Sequence, residues 1–473
     1  LSYSELDGIG TPTLVTRMTS DINQVQNGVN LTLRLLLRSP FIVIGALIMA
    51  YTISSRLTLL FIAATVVISL IIYLIMRATV PIYHEAQNGL DKVTLLTREN
   101  YVGARVVRAF SRQADELAAF VETNDHLRSI QTMAGRISAL MNPLTYLVIN
   151  LAIIALLMRG SHEVNNGALT QGEIIALINY MNQILVSLLR LADLVISVTR
   201  ALASGMRVNE ILNTHTTMPD PAAAELDAEP AAPAVAFDDV TFAYNGAGAP
   251  SLTNVSFTAK PGETIGVIGG TGSGKSTIAN LIPRFYNTTE GTVRIYGEDV
   301  RSYTLDSLRQ VIGVVPQKAS LVSGTIAENL RWGDAAADDA ELEHACKIAQ
   351  AWEFVSQTSR GLETKVTQGG RSLSGGQKQR LTIARALVGH PKLLILDDSM
   401  SALDYATDLE LRRQLAAEMG DVTKIMISQR ATSIQHADHI LVMDDGKCVG
   451  YGTHDELLVQ CPVYADIYHT QMQ

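Results

Sequence analysis

Charge is scarce in this 473-residue chain: acidic and basic residues make up 18% of it and apolar residues 47%. With a mean hydropathy of +0.18, that balance argues against a wholly soluble enzyme and for a part that lies in lipid. Cysteine is almost lacking. Cys346, Cys448 and Cys461 stand far apart and without metal-site spacing, which fits a reduced, cytosolic setting for that half. A basic surplus is lacking too. The net charge is −9 and the sequence pI near 5.6, so no electrostatic case exists for nucleic-acid binding. An initiator methionine is missing, and no signal peptide precedes Leu1. The chain opens in polar, helical sequence and reads as starting inside a longer protein. Its length exceeds what one hydrophobic core supports, so two or three domains are expected.

Apolar runs come first along the chain. Residues 1–30 are polar, broken at Thr11-Pro12, with Thr19-Ser20-Asp21 placed to open a helix. Membrane spans are expected near 31–53, 57–76, 137–158 and 172–198. Leu57–Met76 carries no charge, and ~20 residues at ~1.5 Å each cross ~30 Å of hydrocarbon. Ser54-Ser55-Arg56 and Arg159–Gly167 are expected as outside connections. Between the second and third spans lie Arg77, Arg98, Arg105, Arg108, Arg112, Arg128 and Arg136, which place 77–136 in the cytosol. Val93, Leu96, Tyr101, Val106 and Phe110 recur near helical spacing, so this loop is expected as two long helices turning near Ser111–Glu116. In the last span Asn179, Gln183, Val186 and Arg190 share a face. That stripe is either interhelical bonding with an Arg190–Asp193 pair or the lining of a water-filled cavity.

Residues 213–234 change character: Pro219, Pro221, Pro230 and Pro233 sit among alanines and acids, as in a semi-extended linker. From Val235 to Gln473, short apolar strands alternate with helical stretches, the pattern of a soluble α/β domain with a mixed sheet. The expected architecture is an all-α transmembrane domain over 1–212, its helices extending into the cytosol, followed by this α/β domain.

Three motifs give the α/β domain its chemistry. Gly269-Gly270-Thr271-Gly272-Ser273-Gly274-Lys275-Ser276 fits the phosphate-loop pattern, with the strand Thr264–Ile268 before it and a helix start at Thr277 after it. The glycines let several N–H groups face one anion, and the helix N-terminus adds partial positive charge. Lys275 is the candidate for the β/γ phosphates of a nucleotide and Ser276 for Mg²⁺. The run Leu393–Leu396 ends in Asp397-Asp398, a buried strand that delivers a carboxylate toward Mg²⁺. Leu373-Ser374-Gly375-Gly376-Gln377 opens a second phosphate-type helix. One γ-phosphate does not need both, which points to pairing between two chains.

With these motifs the chain resembles, over essentially its whole length, a half-transporter of the ATP-binding cassette exporter family. The four spans resemble the family's third to sixth membrane helices. Residues 4–18 resemble its first cytosolic loop, residues from Ala109 the coupling helix that docks on the partner's cassette, and Gly361–Gly370 the adjoining contact segment. The resemblance implies ATP and Mg²⁺ as ligands. Tyr244 matches the aromatic that stacks on adenine, and Lys275, Ser276 and Thr277 the phosphate and Mg²⁺ ligands. Gln317 matches the Mg²⁺-sensing glutamine, Asp397 the Mg²⁺-orienting carboxylate, and Ser401-Ala402-Leu403-Asp404 the loop that meets the partner. It also implies a lipid bilayer, a second half-transporter chain, a small-molecule or lipid cargo as in multidrug-type exporters, and a bacterial plasma-membrane location with the cassette in the cytoplasm.

Two positions depart from the family pattern. Asp398 stands where the catalytic glutamate follows the strand, which withdraws the carboxylate by roughly 1–1.5 Å, a misplacement that can cost on the order of 10²-fold in rate. Gln429 stands where the switch histidine does, and a neutral amide brings no positive charge to the transition state. Gln368, where the family more often has glutamate, is a weaker third departure. His454, His436 and His439 are read as structural, and the glycosylation-like Asn254 and Asn287 as silent in a cytosolic domain. Ser374, Gly375, Gly376 and Gln377 are intact and would serve a partner's ATP. The expectation is therefore a heterodimer in which this chain's own site binds ATP and hydrolyses it weakly. The alternative is a regulatory or gating subunit that holds ATP statically and carries no cargo.

Overall fold

The structure is a computed structural model that describes residues 1–36, 38–219, 221 and 232–472, without the side chains of Leu36, Ala192, Asp193, Val195 and Ile196. The Arg190–Asp193 pairing and half of the linker expected at 213–234 therefore lie outside the described residues. The chain forms two compact units, Leu1–Thr11 with Thr214–Gln473, and Pro12–Asn213.

The second unit is helical. After α1 (Tyr3–Ile9), which belongs to the first unit, come α2 (Thr11–Thr16), α3 (Ile22–Leu31), α4 (Arg38–Ile53) and α5 (Ser55–Val102). They are followed by α6 (Ala104–Ala109), α7 (Gln113–Ala139), α8 (Met141–Asn165) and α9 (Gln171–Leu212). Among the described residues four helical stretches are long and apolar enough to cross a membrane: Thr11–Ile53, Ser55–Val102, Gln113–Asn165 and Gln171–Leu191. At 48 residues, α5 is ~72 Å long, more than twice the ~30 Å of hydrocarbon, so it runs well past the lipid. The outside loop expected at Arg159–Gly167 is largely helix, because α8 continues to Asn165. The return between the two long helices lies at Gly103–Arg112, where α6 inserts a short extra turn. The α4–α5 break sits at Ser54, whose hydroxyl accepts the Leu57 N–H and caps α5.

Small residues let these helices approach closely. A Cβ on Gly28 of α3 would lie 2.0 Å from Ala201 Cβ of α9, so only glycine permits that crossing. Nearby, buried Asp21 accepts from Ser204 Oγ at 2.9 Å and Arg207 Nε at 2.8 Å, and Arg17 pairs with Glu210 at 3.0 Å. Phe61, Ile68, Ile149, Leu156, Leu177, Met181 and Ile184 form the apolar interior. On α9 the predicted stripe of Asn179, Gln183, Val186 and Arg190 is exposed, opposite that interior.

The α/β unit begins at β1 (Val235–Phe242), β2 (Leu252–Ala259), β3 (Thr264–Gly269) and α10 (Lys275–Leu281). β4 (Glu290–Ile295), β5 (Glu298–Asp299), α11 (Leu305–Gln310), β6 (Ile312–Val315), β7 (Gly324–Thr325) and α12 (Ile326–Leu330) follow. Next are α13 (Asp339–Ile348), α14 (Trp352–Ser356), β8 (Lys365–Val366), α15 (Gly375–Val388), β9 (Leu393–Asp397) and α16 (Tyr405–Glu418). β10 (Thr423–Ile427), α17 (Ala431–Ile434), β11 (His439–Asp444), β12 (Lys447–Gly452), α18 (His454–Gln460) and α19 (Pro462–Met472) complete it. The main sheet has the order β12-β11-β3-β10-β9-β6, parallel except for β12, and an antiparallel sheet has the order β2-β1-β4-β5. β3, β9 and β10 are continuous apolar runs because both faces of the sheet are covered.

The expected division places residues 1–11 in the membrane part over 1–212. They group with the α/β unit because α1 packs on its surface. The Tyr3 ring lies 4.9 Å from Phe285, the Tyr286 hydroxyl donates to Asp7 at 2.6 Å, and Asn245 donates to Ser4 at 2.7 Å. Thr217 donates to Glu5 through its hydroxyl at 2.6 Å. Burial of Glu5 raises its carboxyl, but the Ser2 and Thr217 hydrogen bonds outweigh it and hold the group at about 2.

Candidate nucleotide site

Register in the parallel sheet decides what meets what. Ile427 of β10 is paired with Asp397 of β9 on one side and Val267 of β3 on the other, while Val315 of β6 pairs with Leu396. The four strands therefore end at one edge. Gly269 and the phosphate loop, Asp397-Asp398, the Ser428–Gln429 segment and Gln317 all leave from that edge, the usual place for a ligand in a parallel sheet.

The loop wraps the lysine. Gly274 has φ of 94°, and a Cβ there would sit 2.6 Å from Ser251 O; a Cβ on Gly269 would sit 2.1 Å from Met443 O. Side chains are excluded at both positions. Lys275 is buried and donates to the carbonyls of Gly269 at 2.9 Å and Gly270 at 2.5 Å, and to Ser273 Oγ at 3.3 Å. Burial pushes its ammonium below the usual lysine range, and Asp398 and Asp397 pull it back up. Thr271 and Gly272 form the exposed crest of the loop.

Opposite the lysine, Ser276 Oγ donates to Asp397 Oδ1 at 3.1 Å. Burial raises Asp397 above the usual carboxylate range, partly offset by the Ser276 bond. A hydroxyl and a carboxylate at this distance form a hard-oxygen pair suited to Mg²⁺, which takes one or two protein oxygens and completes its shell with water and phosphate. Asp398 has φ of 43°, a left-handed conformation for a non-glycine residue. Its N–H donates to Ile427 O at 2.9 Å and its Oδ2 accepts from Gln317 Nε2 at 3.4 Å. Burial raises its pKa, opposed by the Gln317 bond and by the charges of Arg430 and Lys275. Gln317 thus reaches Asp398, one residue beyond the Asp397 it was expected to join at the metal.

Tyr244 lies beside the loop's helix: its hydroxyl is 3.3 Å from Thr277 Oγ1 and accepts from Asn280 at 3.4 Å. Its ring stands edge-on to Phe242 and Tyr286 at 4.8 and 5.1 Å. This aromatic cluster also touches Tyr3 of α1, a link that no local sequence signal announces.

Ser374 caps α15: its hydroxyl accepts the Gln377 N–H at 3.2 Å and its own N–H donates to Gln377 Oε1 at 2.9 Å. Ser374 and Gly375 are exposed. A Cβ on Gly376 would lie 3.3 Å from Ala402 O, so the segment Ser401–Asp404 runs alongside Ser374–Gln377, the signature segment. Gln379, buried one turn on, donates to Pro316 O at 3.3 Å and ties this helix to the Gln317 segment. Gln368 lies in a short 3₁₀ turn before the signature. His454 bonds the Tyr464 hydroxyl at 2.7 Å and His439 stacks on Tyr451 at 5.2 Å. Both, like His436 beside Gln435, have neighbours away from Lys275 and Asp397.

A family model described as ABC transporter transmembrane region matches residues 1–188, and one described as ABC transporter matches 252–401. An ABC transporter ATP-binding protein of Mycobacterium tuberculosis is 38% identical over 473 residues, 99% of this chain and 81% of that protein. A protein of the same species named as a fatty acid ABC transporter ATP-binding/permease protein is 34% identical over 468 residues, 98% of this chain and 73% of that protein. Among solved structures, a bacterial Atm1-family ABC exporter with ATP bound superposes with a TM-score of 0.82 at 26% identity, covering 97% of this chain and 80% of that one.

Proposed function

Because the chain belongs to the ABC transporter family as an exporter half-transporter, with a helical membrane part and an ATPase domain in one polypeptide, we propose that it works as the weak-hydrolysis half of a heterodimeric exporter. Members of this family act as dimers in the membrane. On this reading the chain holds ATP–Mg²⁺ between Lys275, Ser276 and Asp397, stacks the base on Tyr244, and offers Ser374–Gln377 to the ATP of a different partner chain.

The observation that carries the reading is the pair of residues at the sheet edge. Asp398 has the shorter carboxylate, is bonded to Gln317 and is raised by burial, and Gln429 brings no cation. Lys275 and Ser276 keep the side chains that bind phosphate and Mg²⁺. Affinity therefore outlasts hydrolysis. The cargo is a small molecule or lipid; the name of the 34%-identical relative favours the lipid class. The membrane is the bacterial plasma membrane, as the relatives' organisms suggest.

The test replaces Asp398 with Glu and Gln429 with His together in the full chain. Turnover at this site should rise by about 10- to 100-fold while ATP affinity stays within about twofold. Wild-type turnover already equal to that of the double variant would sink the reading.

A further inference from the structure

The C-terminal helix α19 ends against the segment that carries Gln429. Gln471, near the end of that helix, bonds the backbone on both sides of Arg430. Its Nε2 donates to Gln429 O at 2.7 Å, and its Oε1 accepts from Ala431 N at 2.8 Å. The second bond does work usually done locally. α17 has four residues, and Arg430 at its N-cap supplies no side-chain cap, where Ser, Thr, Asp or Asn would ordinarily accept a first-turn N–H. The acceptor comes instead from a residue 40 positions away.

The glutamine amide serves both bonds because it carries its donor and its acceptor on separate atoms of one planar group. Its base is firmly set. Tyr464 of α19 is fully buried, its hydroxyl meets His454 at 2.7 Å, and Tyr468 packs on the same imidazole at 5.0 Å. On the other side, the Gln429 N–H faces the Asp398 carboxylate, and Asp398 is itself tied back to Ile427. The carbonyl of Gln429 is thus held by Gln471, and its side chain is left exposed.

We propose that Gln471 is the positioning residue of the switch segment: through its two backbone bonds, α19 sets where the Gln429 side chain stands at the edge of the phosphate site. The proposal rests on the reading of that edge as the ATP site. It makes the C-terminal helix responsive to nucleotide, since any shift of Gln429 toward a phosphate must stretch or carry Gln471.

The full-length chain, assembled with its partner, is compared as wild type, Gln471→Met and Gln471→Glu. Deuterium uptake is read over 428–434 and over 269–277, and kcat and KM are read for Mg²⁺–ATP. Methionine keeps the bulk and loses both bonds, so exchange at Ala431 should speed by about fivefold while the phosphate loop is unchanged. kcat of this chain's own site, read with hydrolysis at the partner's site blocked, should fall about three- to tenfold with KM moving less than about twofold. Glutamate keeps the acceptor alone, so it should restore protection of Ala431 and only part of kcat. Unchanged exchange over 428–434 in Q471M overturns the proposal, as does a KM loss that matches the kcat loss. If Q471M does not accumulate, Q471E decides: wild-type kcat there overturns it. Repeating the series with Asp398→Glu and Gln429→His separates the two claims. A Gln471 effect without a gain from the double exchange overturns the weak-hydrolysis reading and keeps this one; a gain without a Gln471 effect does the reverse.

Discussion

On the proposed reading the phosphate edge and the signature segment both meet phosphate, yet they are constructed on opposite plans. The edge is assembled from the ends of β3, β6, β9 and β10, and its polar groups satisfy one another: Lys275 bonds its own loop, Ser276 bonds Asp397 and Gln317 bonds Asp398. The signature is a local motif. Ser374 and Gln377 cap each other, and among the described residues no group of this chain accepts the N–H of Gly375 or Gly376. A self-satisfied edge holds its geometry without a second chain. An exposed helix N-terminus with unspent donors does its work only when an anion is brought to it from elsewhere.

The largest effect should come from separating these two. Lys275→Ala should weaken ATP binding at this chain's own loop by about 10²-fold or more, because a buried cation is lost from a low-dielectric site. Ser374→Ala should leave that binding in place and lower turnover of the assembled dimer by about fivefold, since the cap that orders the exposed donors contributes ~1 kcal/mol. Nucleotide titration beside turnover reads both, and equal losses of binding in the two variants would erase the distinction.

A smaller effect concerns the aromatic flank. Tyr244→Ala should reduce ATP affinity by about tenfold, near the value of one base stacked on one ring. Tyr244→Phe keeps the ring and loses only the hydroxyl's bonds with Thr277 and Asn280, so affinity should stay within about twofold. A Phe variant as weak as Ala would assign the role to the hydroxyl.

A last test, on reactivity and not on transport, probes the core behind the signature helix, where Cys346 shares an apolar cluster with Leu381 and Ala384. Burial pushes its thiol up to about 12. Raised so far, it stays protonated as pH climbs through 8, and thiolate forms only near the raised value. Alkylation by iodoacetamide at pH 8, followed by mass spectrometry, should therefore be at least about 100-fold slower than for a free thiol. Fast labelling would show that the region under α15 opens readily.

Much of the architecture is legible in one dimension. The uncharged run at Leu57–Met76 sits inside α5, and the apolar strand runs at 264–268, 393–396, 424–427 and 440–443 all sit in the main sheet. Such signals are contiguous, and contiguous patterns survive reading without coordinates. Other features are distributed. β2 is an alternating, half-exposed strand starting at Leu252 and lacks the apolar density of β3, so it does not stand out. The docking of α1 depends on Tyr3 meeting Phe285 and Tyr286, and nothing within residues 1–11 signals a partner so far along the chain. The Arg159–Asn165 helix end is polar enough to read as a loop, but the helix continues because its backbone bonds run on to Asn166.

The membrane half, the α/β half and the presence of a phosphate loop and a signature followed from local chemistry: charge cannot lie in hydrocarbon, a helix N-terminus needs a cap, and a loop that wraps phosphate needs glycine. Which residues share the nucleotide edge was decided by strand register. Ile427 beside Asp397 is what brings Gln429, Asp398 and Gln317 to one place. That the last helix grips the switch segment through Gln471 was likewise decided in three dimensions, because a hydrogen bond across 40 residues has no period, composition or spacing by which to announce itself.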